Sequence, residues 1–341
     1  MESFFSKQAI LLLLVFYIVS TCDAIQFEFL SQGAKNIAVG RTGANLFKDP
    51  TLTIVNPANI SLENSYISLY YEATSSVNVG NIIELYRKRF VFDPANIGIS
   101  IRIDDLTRLS ILYTTYIYDI DTPETFYKPF LFGLSRKVNS FLLLGGAVGP
   151  VFGISENIPT FSFMAVGGLK VKLDDFRASI VLKSPFSTSY QNPYYGLIQQ
   201  TFPPVVSTGI SFSIVNSLIV STSLDLVFLN LMSARADNYE IFTSRDNLLD
   251  YLLPKIGFIY YDDISGYRIM LGFSKTQLEI ISRSYSQFHL TAGVTFFIRI
   301  PNFNDFEVNF CVDDQILLNV LRIFPENTRK ISIYVSGELR F

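Results

Sequence analysis

Strict alternation of apolar and polar residues constrains this chain more than any other feature. In the last stretch Ile331, Ile333, Val335, Gly337, Leu339 and Phe341 take one face, while Ser332, Tyr334, Ser336, Glu338 and Arg340 take the other. Ile97, Ile99, Ile101 and Ile103 alternate with Gly98, Ser100, Arg102 and Asp104. Leu290, Ala292, Val294, Phe296 and Ile298 alternate with His289, Thr291, Thr295 and Arg299. Successive side chains of a strand point to opposite faces, so this period is that of a β-strand with one apolar face. The pattern returns from Tyr66 to the end of the chain, and the expected class is all-β.

Hydropathy decides what the apolar face meets. Hydrophobic residues make up 49% of the chain and charged residues 17%, with a mean hydropathy of +0.32. A soluble domain carries roughly a quarter charged residues. Yet the longest uninterrupted apolar run is Ala9 to Val19, short of the roughly 20 residues that a spanning helix needs. Hydrophobicity spread over alternate positions fits strands that cross a bilayer, many of them about nine to thirteen residues long, as tilted spanning strands are. The polar faces are mild, mostly Ser, Thr, Gly and Asn, as a lumen requires. There are 31 Phe, 19 Tyr and no Trp. Tyr70, Tyr71, Tyr116, Tyr118, Tyr260, Tyr261 and Phe296 fall near strand ends, where interfacial aromatics sit. Within a bilayer every backbone polar group must pair internally, so the sheet must close. The expectation is a closed antiparallel transmembrane barrel of about 14 strands over residues 63–341, with short turns such as Val138-Asn139 and Asp174-Asp175 on one rim. Longer connections fall at 119–126, 185–203 and 229–253. Sixteen segments alternate in all, 79–91 and 277–284 among them, so some of the sixteen merge with neighbours or lie outside the sheet. Ser244 to Leu253 has leucines at helical spacing and reads as a loop helix; residues 315–324 have mixed character.

Residues 1–24 read as a secretory signal, with Lys7 before the apolar run and Cys22 and Ala24 at the −3 and −1 positions of a small-residue cleavage site. The competing reading is a loose lipoprotein box, Val19-Ser20-Thr21-Cys22, with Cys22 lipidated. The net charge of −3 and the pI near 5.4 exclude the basic surface of a nucleic-acid binder. Two cysteines build neither a zinc site nor a disulfide framework, and no cofactor is expected. Residues 25–62 break the alternation with Gly33, Gly40, Gly43, Pro50 and Pro57. That punctuation predicts turns and a short helix that can pack compactly inside a barrel.

The same segment carries a family resemblance. Gly33-Ala34-Lys35-Asn36-Ile37-Ala38-Val39-Gly40-Arg41-Thr42-Gly43-Ala44, then Asp49-Pro50, then Asn56-Pro57-Ala58, resembles the opening signature of FadL-like outer-membrane proteins, a group that includes long-chain fatty-acid transporters and PorV-like proteins. Asn59 stands where that family has Gly. The ending, with Tyr334, Leu339 and the terminal Phe341, resembles the signal that outer-membrane proteins present to the barrel-assembly machinery. The resemblance implies an N-terminal plug built on Gly33, Ala34, Gly40, Gly43, Asp49, Pro50, Asn56, Pro57 and Ala58. It also implies a site in the outer membrane of a diderm bacterium, in contact with its lipid, and passive transport of hydrophobic molecules such as long-chain fatty acids. Leu229, Leu231, Met232, Leu248, Leu249, Leu252 and Leu253 would then form a groove for a hydrophobic ligand; a helix resting on the rim is the alternative. A PorV-like role in protein interaction or secretion, or a structural or adhesive role, remains open at this point.

Catalysis has little support. His289 is the only histidine, and Ser282, Ser284 and Ser286 are the hydroxyls near it in sequence; a polar lumen accounts for it better than a base and nucleophile. The pairs Asp104-Asp105, Asp262-Asp263 and Asp313-Asp314 read as strand-end carboxylates rather than metal ligands. Arg102, Lys170, Lys172, Arg177, Lys183, Asp225, Arg299 and Glu307 fall on polar faces and are expected to pair across the lumen. Cys311 shares a face with Glu307, Asn309 and Asp313 and is expected to be a lumen thiol.

Overall fold

The computed structural model describes residues 27–29, 33–60, 66–79, 91–115, 117–119, 126–155, 158–192, 196–215, 217–228, 231, 233–236, 239–243, 252–262, 266–280, 283–298, 305–314 and 329–341. The signal segment 1–24, most of segment 79–91, the leucines at 248 and 249 and the stretch 315–324 lie outside them.

Fourteen strands close into one antiparallel ring. They are β1 (Ile67–Val79), β2 (Asp93–Arg102), β3 (Thr107–Thr114), β4 (Phe126–Lys137), β5 (Leu142–Ser155), β6 (Ile158–Leu173) and β7 (Phe176–Lys183). The circuit continues with β8 (Val205–Val215), β9 (Leu218–Val227), β10 (Leu252–Asp262), β11 (Tyr267–Ile280), β12 (Arg283–Ile298), β13 (Asp305–Asp314) and β14 (Arg329–Arg340). Each strand pairs with its neighbours in sequence, and β14 returns to β1 with Tyr334 opposite Thr74. Tyr66 N donates to Phe341 O at 2.7 Å beside this seam. Closure leaves no edge whose backbone groups would face lipid. Segment 277–284 is no separate strand, because it spans the hairpin of β11 and β12, where Ile280 pairs with Arg283.

Burial is inverted relative to a soluble protein. Phe163 is 60% exposed, Leu271 52% and Ile97 49%, whereas His289, Thr291, Thr295, Glu307 and Asn309 are at 0%. The apolar faces form the outer wall and the polar faces pack in the lumen, the alternation of a membrane barrel. One part of the aromatic assignment changes. Tyr71 and Tyr260 point outward, but Tyr70 is buried in the lumen, since adjacent residues of a strand cannot share a face.

Short turns join β2–β3, β4–β5, β6–β7 and β8–β9 at the rim that also holds both barrel ends; barrels of this kind put short turns on the periplasmic side. The opposite rim differs from expectation. The 185–203 and 229–253 connections contain strands Phe186–Asn192, Gly196–Phe202, Ser233–Ala236 and Tyr239–Thr243, which form a second, four-stranded sheet. Leu252 and Leu253 are strand, not helix: they open β10 and pair with Leu226 and Asp225. A strand Phe27–Phe29 pairs with Ile117–Asp119 beside β4.

Residues 33–60 sit inside the ring as single turns: α1 (Ala34–Ala38), a 3-10 turn at Gly43–Asn45, α2 (Leu52–Val55) and a 3-10 turn at Pro57–Asn59. Almost every one of these residues is buried, and none of the described helices is long and apolar enough to cross a membrane.

Candidate functional site

The lumen has a polar part around the N-terminal segment and an apolar part toward the long-loop rim. In the polar part, Lys35 on α1 reaches Asp49 at 3.2 Å, Glu307 at 3.0 Å and Glu338 at 3.0 Å. Arg340 bonds both glutamates, at 2.6 and 2.7 Å, and Arg268 lies 3.3 Å from Glu307. Buried charges survive only when paired and hydrogen-bonded, and three cations here meet three carboxylates. Burial alone would depress the Lys35 amine, but Glu307, Glu338 and Asp49 outweigh it and hold its pKa above the usual lysine value. On the other side of α1, Ala34 N donates to Glu72 at 2.6 Å, and Asn96 donates to the same carboxylate at 2.6 Å.

Arg41 makes the second tie. Its backbone has φ 64°, a left-handed conformation rare for a long side chain. Its guanidinium donates to Ser274 Oγ at 2.8 Å and Asp313 Oδ2 at 2.8 Å, and lies 3.3 Å from His289 Nδ1. His289 is itself 2.9 Å from Asp313, so the single histidine belongs to a structural tie. The preceding Gly40 needs its glycine for closeness as well as for φ 63°. A Cβ on Gly272 of β11 would fall 1.9 Å from Gly40 N, and one on Gly257 of β10 2.2 Å from Val39 O.

Asn56 opens the third tie. Its side chain accepts from Ala58 N at 3.2 Å and donates to Ala44 O at 3.1 Å. Pro57 follows at the first position of the 3-10 turn, where its missing N–H costs nothing. Gly168 of β6 lies beneath, since a Cβ there would be 2.3 Å from Asn56 Oδ1. Asn59, the departure from the family pattern, donates to Ala44 O and Phe47 O and accepts from Lys170. The motif residues are therefore brought together: Gly33 and Asp49 meet at Thr51, Pro50 abuts Gly98 and Gly43 abuts Asn36.

The apolar part was not read from sequence. Tyr127, Leu131, Val151, Met164, Val181, Phe186, Phe202, Val205, Val227 and Leu253 form one buried cluster. Phe186 and Phe202, on the rim hairpin, stack at 4.6 Å, and Tyr127 meets Phe202 edge-on at 4.7 Å. Tyr127 Oη donates to Gln200 at 2.6 Å. Among the described residues, Leu253 is the expected groove residue that joins this cluster. Leu252 is half-buried and Leu231 is 52% exposed; Leu229, Met232, Leu248 and Leu249 lie outside the described residues. In β4 the inward positions run from Ser135 and Gly133 to Leu131 and Tyr127, so the lining becomes greasier toward the long-loop rim. The signal for this was the run Phe130-Leu131-Phe132, apolar on both faces. Tyr334 points inward against the N-terminal segment, and Phe341 N bonds Ile67 O at 3.0 Å.

Fourteen strands thus close one ring around the internal N-terminal segment. The chain is similar to a CymD monoaromatic hydrocarbon channel (12% identity, 92% of this chain and 99% of that one, TM-score 0.67). It is also similar to the toluene transporter TbuX of Ralstonia pickettii (15% identity, 91% and 98%, TM-score 0.61). A FadL homologue of Pseudomonas aeruginosa matches at 10% identity over 93% of this chain and 100% of that one, with TM-score 0.64. No family model and no curated protein sequence matches. The chain thus has the fold of FadL-like outer-membrane barrels.

Proposed function

We propose that this protein is a passive outer-membrane channel for hydrophobic small molecules. The observation that supports this most is the apolar, aromatic-lined zone between the long-loop rim and the N-terminal segment. An apolar solute gains roughly 25 cal/mol for each Å² it removes from water there; the Lys255–Asp225 ion pair borders the zone, with Asp225 opposite Leu253. Capture would occur at the long-loop rim, where Leu231 is exposed, together with the other groove leucines. Passage would follow through the Tyr127, Phe186 and Phe202 zone, and release past residues 33–60 acting as a plug. Movement would run down the concentration gradient. Export by the cleaved segment 1–24 and insertion by the barrel-assembly machinery through the Tyr334, Leu339 and Phe341 ending belong to the same reading.

Two substrate classes follow, long-chain fatty acids from the motif resemblance and monoaromatic hydrocarbons from the structures of similar fold. Uptake of labelled oleate and labelled toluene is measured in cells with and without the gene. Loss of uptake of either one, restored by the wild-type chain, is expected. Uptake of both unchanged by the deletion overturns the transport reading.

A further inference from the structure

Most lumen charges are paired, but one group beside the short-turn rim is not. On β6 and β7, Lys170 lies opposite Ser179 and Lys172 opposite Arg177. On β8, Gly209 lies opposite Ser179 and Ser211 opposite Arg177. Lys170 is buried, and both of its hydrogen bonds go to neutral oxygens, Asn45 O at 2.8 Å and the Asn59 side chain. Arg177, Lys48 and Lys172 are like charges that act on it. Among the described residues neither Lys172 nor Arg177 makes an ion pair or hydrogen bond, and the acids of the adjoining turn, Asp174 and Asp175, are exposed.

The buried polar atoms beside these cations are also unsatisfied. Ser179 Oγ, Ser211 Oγ and both side-chain amide atoms of Asn45 have no hydrogen-bond partner, although Asn45 is 0% exposed, Ser211 1% and Ser179 4%. Asn45 and Ser179 meet beside Gly209, and Ser211 lies two residues further along β8 opposite Arg177. A Cβ at Gly209 would lie 2.8 Å from Asn45 Nδ2 and 3.4 Å from Ser179 Oγ. Buried polar groups are normally satisfied, and each exception calls for a cause. Like charges gathered in a partly dry site likewise call for a counter-charge.

We propose that Asn45, Lys170, Lys172, Arg177, Ser179 and Ser211 form a binding site for an oxyanion, a carboxylate or phosphate group, entered from the short-turn side through the exposed Lys172. The amines, the guanidinium, the two hydroxyls and the Asn45 amide nitrogen can all donate, the set that a multi-oxygen anion accepts from. Arg177 supplies the planar fork suited to two oxygens of one group. The site stands independently of whether apolar molecules cross the barrel.

The test is isothermal titration of the full chain in a neutral detergent with inorganic phosphate, with octanoate, and with octanol as the uncharged control. The Lys172→Gln/Arg177→Gln double variant is compared, because neither side chain ties down the N-terminal segment. Ser179→Ala is the second variant, and heat-modifiable gel mobility confirms that each barrel is folded. Saturable binding of an anion is expected, weakened at least tenfold in the double variant and several-fold in Ser179→Ala, with any octanol heat unchanged. Binding of phosphate and octanoate alike assigns the site to free oxyanions; binding of octanoate alone assigns it to the headgroup of an amphiphile. The proposal is overturned if neither anion binds saturably, or if the double variant binds as tightly as the wild type.

Discussion

Arg41 shows how much a single residue holds in this fold. It accepts a left-handed backbone so that its guanidinium can reach Ser274, His289 and Asp313 on three barrel strands. Its side chain and that of Asp313 are 4% and 5% exposed. Removing one partner of a buried pair costs about 3–5 kcal/mol, because the other charge is left uncompensated. Asp313→Asn keeps the shape and removes the charge. The ring closes without this contact, so the cost should appear as loosening of residues 33–60 rather than loss of the barrel. Limited proteolysis is expected to cut the variant near residues 41–48 at least tenfold faster, with the barrel still heat-modifiable on a gel. Equal resistance in both proteins would mean that Arg41 does not hold the segment. The residues Asn56-Pro57-Ala58 stand out in the sequence through the family resemblance, and the turn they make is local, with Asn56 accepting from Ala58 N. The partners of Lys35 were not legible, since Glu307 and Glu338 lie 272 and 303 positions away and nothing in a local pattern joins them.

Among the elements, the strands were legible wherever the two faces differ in chemistry. In β2, β12 and β14 the outer face is apolar and exposed and the inner face meets polar neighbours, so apolar and polar residues alternate cleanly. At Phe130-Leu131-Phe132 of β4 both faces are apolar, and that run carries no period to read. The rim strands Phe186–Asn192 and Gly196–Phe202 were read as connection because they do not cross a bilayer and carry Ser, Thr, Gln and Asn at many positions. The orientation of the wall makes a sharp prediction. Leu271, midway along β11 and 52% exposed, pairs with Phe258 and Ala292 and faces outward. An arginine on the lipid face costs about 2–4 kcal/mol near the bilayer midplane. Urea unfolding of Leu271→Arg in phosphatidylcholine vesicles should show a loss of that order. Thr291→Ala, on the adjacent inner face, removes bonds to Gly40 N and Ala38 O worth about 0.5–1.5 kcal/mol each. Wild-type stability of Leu271→Arg in vesicles would mean that this face does not meet lipid.

For the whole molecule, the barrel and its internal segment form an enclosed assembly whose lumen is apolar toward the long-loop rim and polar beyond. A solute that crosses must displace residues 33–60 or slip past them, and the ties at Lys35, Arg41 and Asn56 set how far they move. Thr53 on α2 offers a way to decide, because its Oγ1 lies 2.7 Å from Ser110 Oγ on β3. Those side chains approach closely enough for a cysteine pair to bridge with little backbone movement. Thr53→Cys/Ser110→Cys, made in a Cys311→Ser background, should oxidise to a disulfide that fastens the segment to the wall. If passage needs the segment to move, uptake of the permeant solute falls at least tenfold in the oxidised protein and returns on reduction, while the single cysteine variants behave as wild type. Full uptake through the oxidised double variant would instead place the path between the segment and the far wall. In that case the internal segment shapes the lumen without acting as its gate.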